Sequence, residues 1–146
     1  MKKNISGQSL FETLLAFALA SIIIVGIVIL ATNSIKNSNF SKDKTTSSKY
    51  VQDAMEWLRE EKIIDWQNLY AKAGLTQLTY CINSLNWPGS TGACSSGNFI
   101  LGTPYKRQLL LVSNGTDTVE ATVVVFWTDA GGYHEVRSAT VLSDLR

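Results

Sequence analysis

The chain has 146 residues and a formal net charge of +1, with 13 basic residues against 12 acidic ones. This length allows one domain of ordinary size plus an additional segment, and the balanced charge argues against a general nucleic-acid-binding surface. His134 is the only histidine and there are only two cysteines, which argues against a zinc site.

The first predicted element is a helix with an uninterrupted apolar stretch. Residues 14 to 31 form a run of 18 without a charge or a proline. This length is typical of a membrane span rather than of a core helix. Glu12 lies two residues before the run, where a carboxylate is costly unless it is paired or moved to the interface. A functional role for Glu12 is therefore expected.

The residues before the apolar run form a recognisable pattern. Lys2 and Lys3 precede Gly7, and Glu12 is the fifth residue counted from Gln8. This pattern resembles the class III signal of type IV prepilins. The resemblance implies that a prepilin peptidase cuts between Gly7 and Gln8 on the cytoplasmic side and methylates the new amino terminus at Gln8. Most members of the family carry phenylalanine or methionine at that position, so Gln8 departs from the pattern.

Two other interpretations of the N-terminal segment are less favoured. An ordinary secretory signal has an apolar region of about 7 to 15 residues followed by a cut site with small residues. Here the apolar run is longer, and its small residues lie inside it, at Ala16, Ala18 and Ala20. An uncleaved signal anchor would leave the combination of Gly7 and Glu12 unexplained.

The helix is predicted to continue well beyond the apolar run. No proline precedes Pro88 and no glycine lies between Gly26 and Gly74, so helix can extend from Gln8 to about Lys62. Its last three turns carry apolar residues on one face, which predicts packing against a folded head. These residues are Tyr50, Val51, Ala54, Trp57 and Leu58.

The next elements are shorter. Residues 65 to 74 predict a second helix with Asp65 as N-cap and Gly74 as the C′ stop. Residues 80 to 94 are rich in Asn, Ser, Pro and Gly and predict a surface loop. Residues 99 to 101 and 106 to 113 are candidate strands.

The C-terminal part shows the clearest strand pair. From Val119 to Trp127 every second residue is apolar, and the residues between them are mixed. A turn is expected at Asp129–Gly132, and residues 133 to 142 return. The turn length predicts a register that pairs Val125 with Val136, Val119 with Leu142 and Trp127 with His134. His134 is therefore expected to be a packed or half-exposed residue rather than a catalytic one.

Together these elements predict an α+β fold: a long N-terminal helix, half transmembrane and half spine of a head, on a three- to four-stranded antiparallel sheet. This layout resembles that of type IV pilins. The predicted divisions are a leader (1–7), a transmembrane and assembly helix (8–31) and a head (32–146). The head comprises the helix continuation (32–62), the second helix and cysteine loop (63–98), and the sheet (99–146).

The resemblance also suggests a function. The segments Asp53–Arg59 and Asp65–Trp66 look most like those of minor pilins of the type IV pilus modification group, and similar segments occur in type II secretion pseudopilins. The chain would then be a filament subunit, whose expected partners are other pilins through the N-terminal helix, prepilin peptidase, the inner-membrane assembly platform and, before assembly, membrane lipid. Glu12 would pair with the terminal amine of an adjacent subunit. An exported head favours a disulfide between Cys81 and Cys94 over two free thiols.

No motif indicates an enzyme, a cofactor or a metal. The alternative function is a membrane-anchored binding module that recognises an extracellular ligand such as DNA or a surface polymer. A basic patch could serve DNA, but without interleaved aromatic residues a solvated surface is favoured. Its candidate residues are Lys42, Lys44, Lys49, Lys106 and Arg107.

Overall fold

The computed structural model describes residues 6–115 and 117–144, with side chains from Leu10 onward. Two helices, α1 (Ser6–Ile64) and α2 (Trp66–Lys72), precede the four strands in the chain. The strands are β1 (Leu78–Cys81), β2 (Lys106–Ser113), β3 (Thr118–Asp129) and β4 (Gly132–Ser143). They form one antiparallel sheet in the order β1-β2-β3-β4, which confirms the α+β fold.

The chain divides into two compact units, one up to Lys42 and one from Asp43 onward, and α1 contributes to both. In the second unit, the head, α1 places Val51, Ala54 and Leu58 in the core as the apolar pattern predicts, together with Met55. Alternate residues of β2 and β3 complete this core. Those without any exposure are Leu109, Leu111, Val119, Ala121, Val123 and Val125.

The β3–β4 hairpin has the predicted register but a tighter turn. Val125 pairs with Val136, and Asp129 pairs with Gly132, which leaves only Ala130 and Gly131 in the loop. Gly132 has a φ of 113°, which favours glycine, and the Gly131 N–H donates to Asp129 Oδ1 at 2.7 Å. Because the strands lengthen equally at both sides of the turn, the register is the same as for a four-residue loop.

The short helix α2 begins and ends at the predicted positions. Asp65 is its N-cap, and the carboxylate accepts a hydrogen bond from the Asn68 N–H at 3.0 Å. Ala73 is the C-cap, so Gly74 is the C′ residue as expected, but its φ is not positive and it forms a parallel bridge with Val112. A Cβ at Gly74 would lie 2.9 Å from the Thr76 carbonyl oxygen, so this close approach is what requires glycine.

Two expectations for the segment between α2 and β2 are corrected, one of a loop and one of a strand. β1 was not expected, because residues 80 to 94 were assigned to a loop, yet Tyr80 pairs with Leu109 of β2. Residues 99 to 101 are not a strand but part of a turn that Gly102 closes with a φ of 74°. In this turn the Ile100 N–H donates to the Tyr105 carbonyl at 2.8 Å, so local hydrogen bonds replace a strand partner.

Tyr105 fixes one side of the head through a buried phenol. Only 6% of the residue is exposed, and its hydroxyl donates to Asp43 Oδ1 at 2.7 Å. Burial, reinforced by the hydrogen bond and the negative charge of Asp43, raises the pKa of Tyr105 to about 12. The folded head is therefore more stable with the neutral phenol of Tyr105 than with the phenolate.

This raised pKa predicts a loss of stability at high pH. The contribution of Tyr105 is fully present below pH 10 and is lost as the pH rises to about 12. Over that interval the unfolding free energy of the wild type should fall by on the order of 2 kcal/mol more than that of Tyr105→Phe. Asp43→Asn should give an intermediate slope, since it removes the charge but keeps an acceptor. Urea titrations at several pH values measure this, and equal slopes for the wild type and Tyr105→Phe would contradict the assignment.

Candidate functional site

The first unit is an apolar helix with its side chains exposed on all sides. Every large apolar residue from Leu10 to Leu30 is more than half exposed, from 51% at Leu15 to 75% at Phe17. The most apolar 18-residue window of α1 has a mean hydropathy of 3.0 and no buried residue. By length and composition this helix can cross a membrane, and such a surface requires lipid or protein to cover it.

The hydroxyl groups of this segment are compatible with lipid. Thr13 donates to the Leu10 carbonyl at 2.9 Å, Ser21 to the Ala18 carbonyl at 2.8 Å, and Thr32 to the Val28 carbonyl at 2.8 Å. Each hydroxyl proton is thus bound within the helix, as a group in hydrocarbon must be. These residues therefore impose little penalty on a membrane location.

Glu12 is the one charged group of the apolar segment. It lies on an exposed face of α1, and within the described residues no cation forms an ion pair with it. A carboxylate in apolar surroundings is stabilised by a positive partner or by a position at the membrane interface. The backbone of Gly7 and Gln8 is helical, but their side chains are not described, and the leader residues Lys2 and Lys3 lie outside the described residues.

In the head, Cys81 and Cys94 form a disulfide, as expected. The sulfur atoms are 2.04 Å apart and the Cα atoms 4.9 Å. Cys81 is the last residue of β1, so the bond fixes the following loop to the edge of the sheet. The Gly92 N–H also donates to the Thr79 carbonyl at 2.7 Å, which covers part of this edge.

Arg107 is buried under this loop, with only 3% of the residue exposed. Its Nη1 donates to the Tyr50 carbonyl of α1 at 3.1 Å, while Nε and Nη2 donate to the carbonyls of Ile82 and Asn83 at 3.1 and 3.0 Å. Burial lowers the pKa of the guanidinium, and the negative charge of Asp53 opposes that shift. Arg107 therefore joins the helix, the sheet and the disulfide loop.

Asn83 completes this arrangement from the loop side. Its Oδ1 accepts the Arg107 backbone N–H at 2.7 Å, and its Nδ2 donates to the Asn98 carbonyl at 2.9 Å. The side-chain amide thus links β2 to two separate parts of the loop. Neither Arg107 nor Asn83 was identified from the sequence as a structural residue.

Comparisons of the chain with protein-family models, with curated proteins and with solved structures gave no match. The functional interpretation therefore rests on the residues and their geometry.

His134 is packed, as the predicted register implies. Its ring lies 5.3 Å from that of Trp127, and its Nε2 lies 3.0 Å from Asp129 Oδ1. The Gly131 backbone N–H and then His134 hold the pKa of the Asp129 carboxyl below its usual range. These contacts give His134 a place in the hairpin structure.

Two of the residues considered for a basic patch, Lys106 and Arg107, lie on opposite faces of β2. Arg107 is buried, which corrects the expectation that it is solvated. Lys106 points to the opposite face of β2, and its Nζ lies 4.8 Å from the Phe99 ring centroid and 6.0 Å from that of Phe126. Aromatic rings thus do flank one of the lysines, although no such spacing is visible in the sequence.

Proposed function

We propose that this chain is a minor pilin or pseudopilin subunit of a type IV pilus-like filament. The observation that carries the proposal is the apolar segment of α1, whose large side chains are all more than half exposed, with one carboxylate, Glu12, at its start. Supporting it are the pattern of Lys2, Lys3 and Gly7 before the helix, and a disulfide-bonded α+β head after it.

In this proposal the helix has two environments. Before assembly, residues 14 to 31 hold the subunit in the cell membrane, with the head on the extracytoplasmic side. During assembly the same surface leaves the lipid and packs against equivalent helices, so its apolar area stays out of water throughout. The platform that drives this transfer is in the inner membrane.

Processing gives Glu12 its partner. Cleavage between Gly7 and Gln8 creates a positively charged amino terminus, which is then methylated and remains charged. Gln8 and Glu12 lie about 6 Å apart along a helix. The terminal amine of one subunit can therefore pair with Glu12 of a neighbour displaced along the filament. A slip in register would leave two charges unpaired in an apolar core, which makes the pair a determinant of register.

Replacing Glu12 with alanine should leave cleavage and membrane insertion intact and lower incorporation into filaments by at least about tenfold. The reason is that removing one partner of a buried ion pair costs roughly 3–5 kcal/mol. Immunodetection in sheared-filament and membrane fractions measures both. Glu60→Ala is the matched control, since Glu60 is an exposed glutamate of the same helix within the head. Wild-type amounts of the Glu12 variant in filaments would contradict the proposed pairing.

A further inference from the structure

The head carries a pocket that the proposed assembly function does not use. It has a volume of about 330 Å³ and lies between residues 99–104 and the end of β3. That volume is at the small end of the range for ligand sites, roughly 300–1,000 Å³. The residues that matter for its chemistry are Phe99, Thr103, Pro104, Lys106, Phe126 and Thr128.

One cation lies among the aromatic rings of this pocket. Lys106 pairs with Phe126 across β2 and β3, so both side chains project from the face of the sheet opposite to α1. The ammonium lies over the Phe99 ring and beside Phe126. Within the described residues it makes no ion pair, so its N–H donors are available to a ligand.

Aromatic surface extends from the pocket across the sheet. The Phe126 and Tyr133 rings have centroids 5.8 Å apart, and Tyr133 is 60% exposed. Phe99, on the other side of Lys106, is 44% exposed. Exposed rings in a row provide flat apolar surfaces for stacking, and the exposed Thr128 adds a hydroxyl at the rim.

We propose that this pocket binds an acidic sugar residue of an extracellular polysaccharide. The C–H face of a pyranose ring would pack against Phe126 and Tyr133, and its carboxylate would accept hydrogen bonds from the Lys106 ammonium, which lies over Phe99. The proposal concerns the head alone, so its test does not depend on whether the chain assembles into filaments.

The charges around the pocket favour a sugar over a nucleic acid. Single-stranded nucleic acids also stack on aromatic rings, but they carry one phosphate per nucleotide and need several cations along their path. Among the described residues that line the pocket, Lys106 is the only cation, and Arg137 nearby on β4 is paired with Glu135. Glu135, which pairs with Phe126 across the strands, and Arg137 form a neutral pair, so they add no net positive charge beside the rings. A ligand with a single carboxylate on a sugar ring matches a pocket with one cation better than a nucleic acid does.

Isothermal titration calorimetry on the full-length protein tests the proposal. The protein is kept in a polyoxyethylene detergent, because detergents with sugar headgroups would compete. The probes are trigalacturonate and sialyllactose, their neutral methyl esters, and a short thymidine oligonucleotide. The variants are Lys106→Met and Phe126→Ala, with Lys49→Met as control for an exposed lysine outside the pocket.

At least one acidic sugar should bind about tenfold more tightly than its ester, which corresponds to one charge-assisted contact. Lys106→Met should abolish that preference, Phe126→Ala should weaken acid and ester alike, and Lys49→Met should change neither. Thermal unfolding shows whether each variant is folded. If Phe126→Ala is not folded, the result for Lys106→Met alone decides the test. The proposal is overturned if neither acid binds at roughly 10 mM, if Lys106→Met keeps the preference, or if the oligonucleotide binds more tightly than the acids.

Discussion

Replacing Arg107 with methionine is expected to lower the unfolding free energy of the head by about 3 kcal/mol. The guanidinium donates to carbonyl oxygens of Tyr50, Ile82 and Asn83, and methionine provides no donor for any of them. The gain from burying an apolar side chain of similar length offsets only part of that loss. Arg107→Lys should be intermediate, because one ammonium cannot reach three carbonyls held in a fork geometry.

Urea unfolding followed by tryptophan fluorescence measures this change. Gln108→Met is the matched control, because Gln108 is the neighbouring residue of β2 and lies on its other face. Its effect on the unfolding free energy should stay within about 0.5 kcal/mol. Equal stabilities of the two methionine variants would show that the buried hydrogen bonds of Arg107 do not hold the helix to the sheet.

Loss of the disulfide is expected to have a similar effect. The Cys81–Cys94 bond closes a loop of about 14 residues, which corresponds to roughly 3 kcal/mol of unfolding free energy by the chain-entropy estimate. The loop also supplies the carbonyl and amide groups of Asn83 that bind Arg107, so opening it exposes that contact to water. This is a large share of the stability of a domain of ordinary size.

The comparison that isolates the bond uses a reductant and a double variant. Dithiothreitol should lower the unfolding free energy of the wild type. It should not change that of Cys81→Ser/Cys94→Ser, which is already lower by the same amount. Alkylation and mass spectrometry of the native protein should find no free thiol. A wild type that is equally stable with and without reductant would show that the loop is held by other contacts.

Much of the fold follows from periodicity in the sequence. The apolar positions of Val51, Ala54 and Leu58 predicted the buried face of α1, and the candidate strand at residues 106 to 113 has the bounds of β2. The hairpin register was predictable because a turn of even length keeps the apolar residues of both strands on one face. The same pairs form whether two or four residues are counted as loop.

The missed features depend on tertiary contacts. β1 has four residues inside a stretch rich in turn formers, and only pairing with β2 makes it a strand. The alternation of β2 does place Arg107 on the face of Leu109 and Leu111, so its burial had a visible signal. The carbonyl groups that accept hydrogen bonds from Arg107 come from segments far apart in sequence. The aromatic rings beside Lys106 also come from separate segments. Local sequence patterns do not predict such contacts between distant segments.

The most direct test of the proposed function is the intact mass of the protein extracted from its native membrane. Cleavage by a prepilin peptidase predicts a chain that begins at Gln8 and carries one methyl group on its amino terminus. An anchor for a binding module has no reason to be cut on the cytoplasmic side. A mature chain that retains Met1 to Gly7, or one that is cut near Ala20, would contradict the assignment to a pilin-like filament.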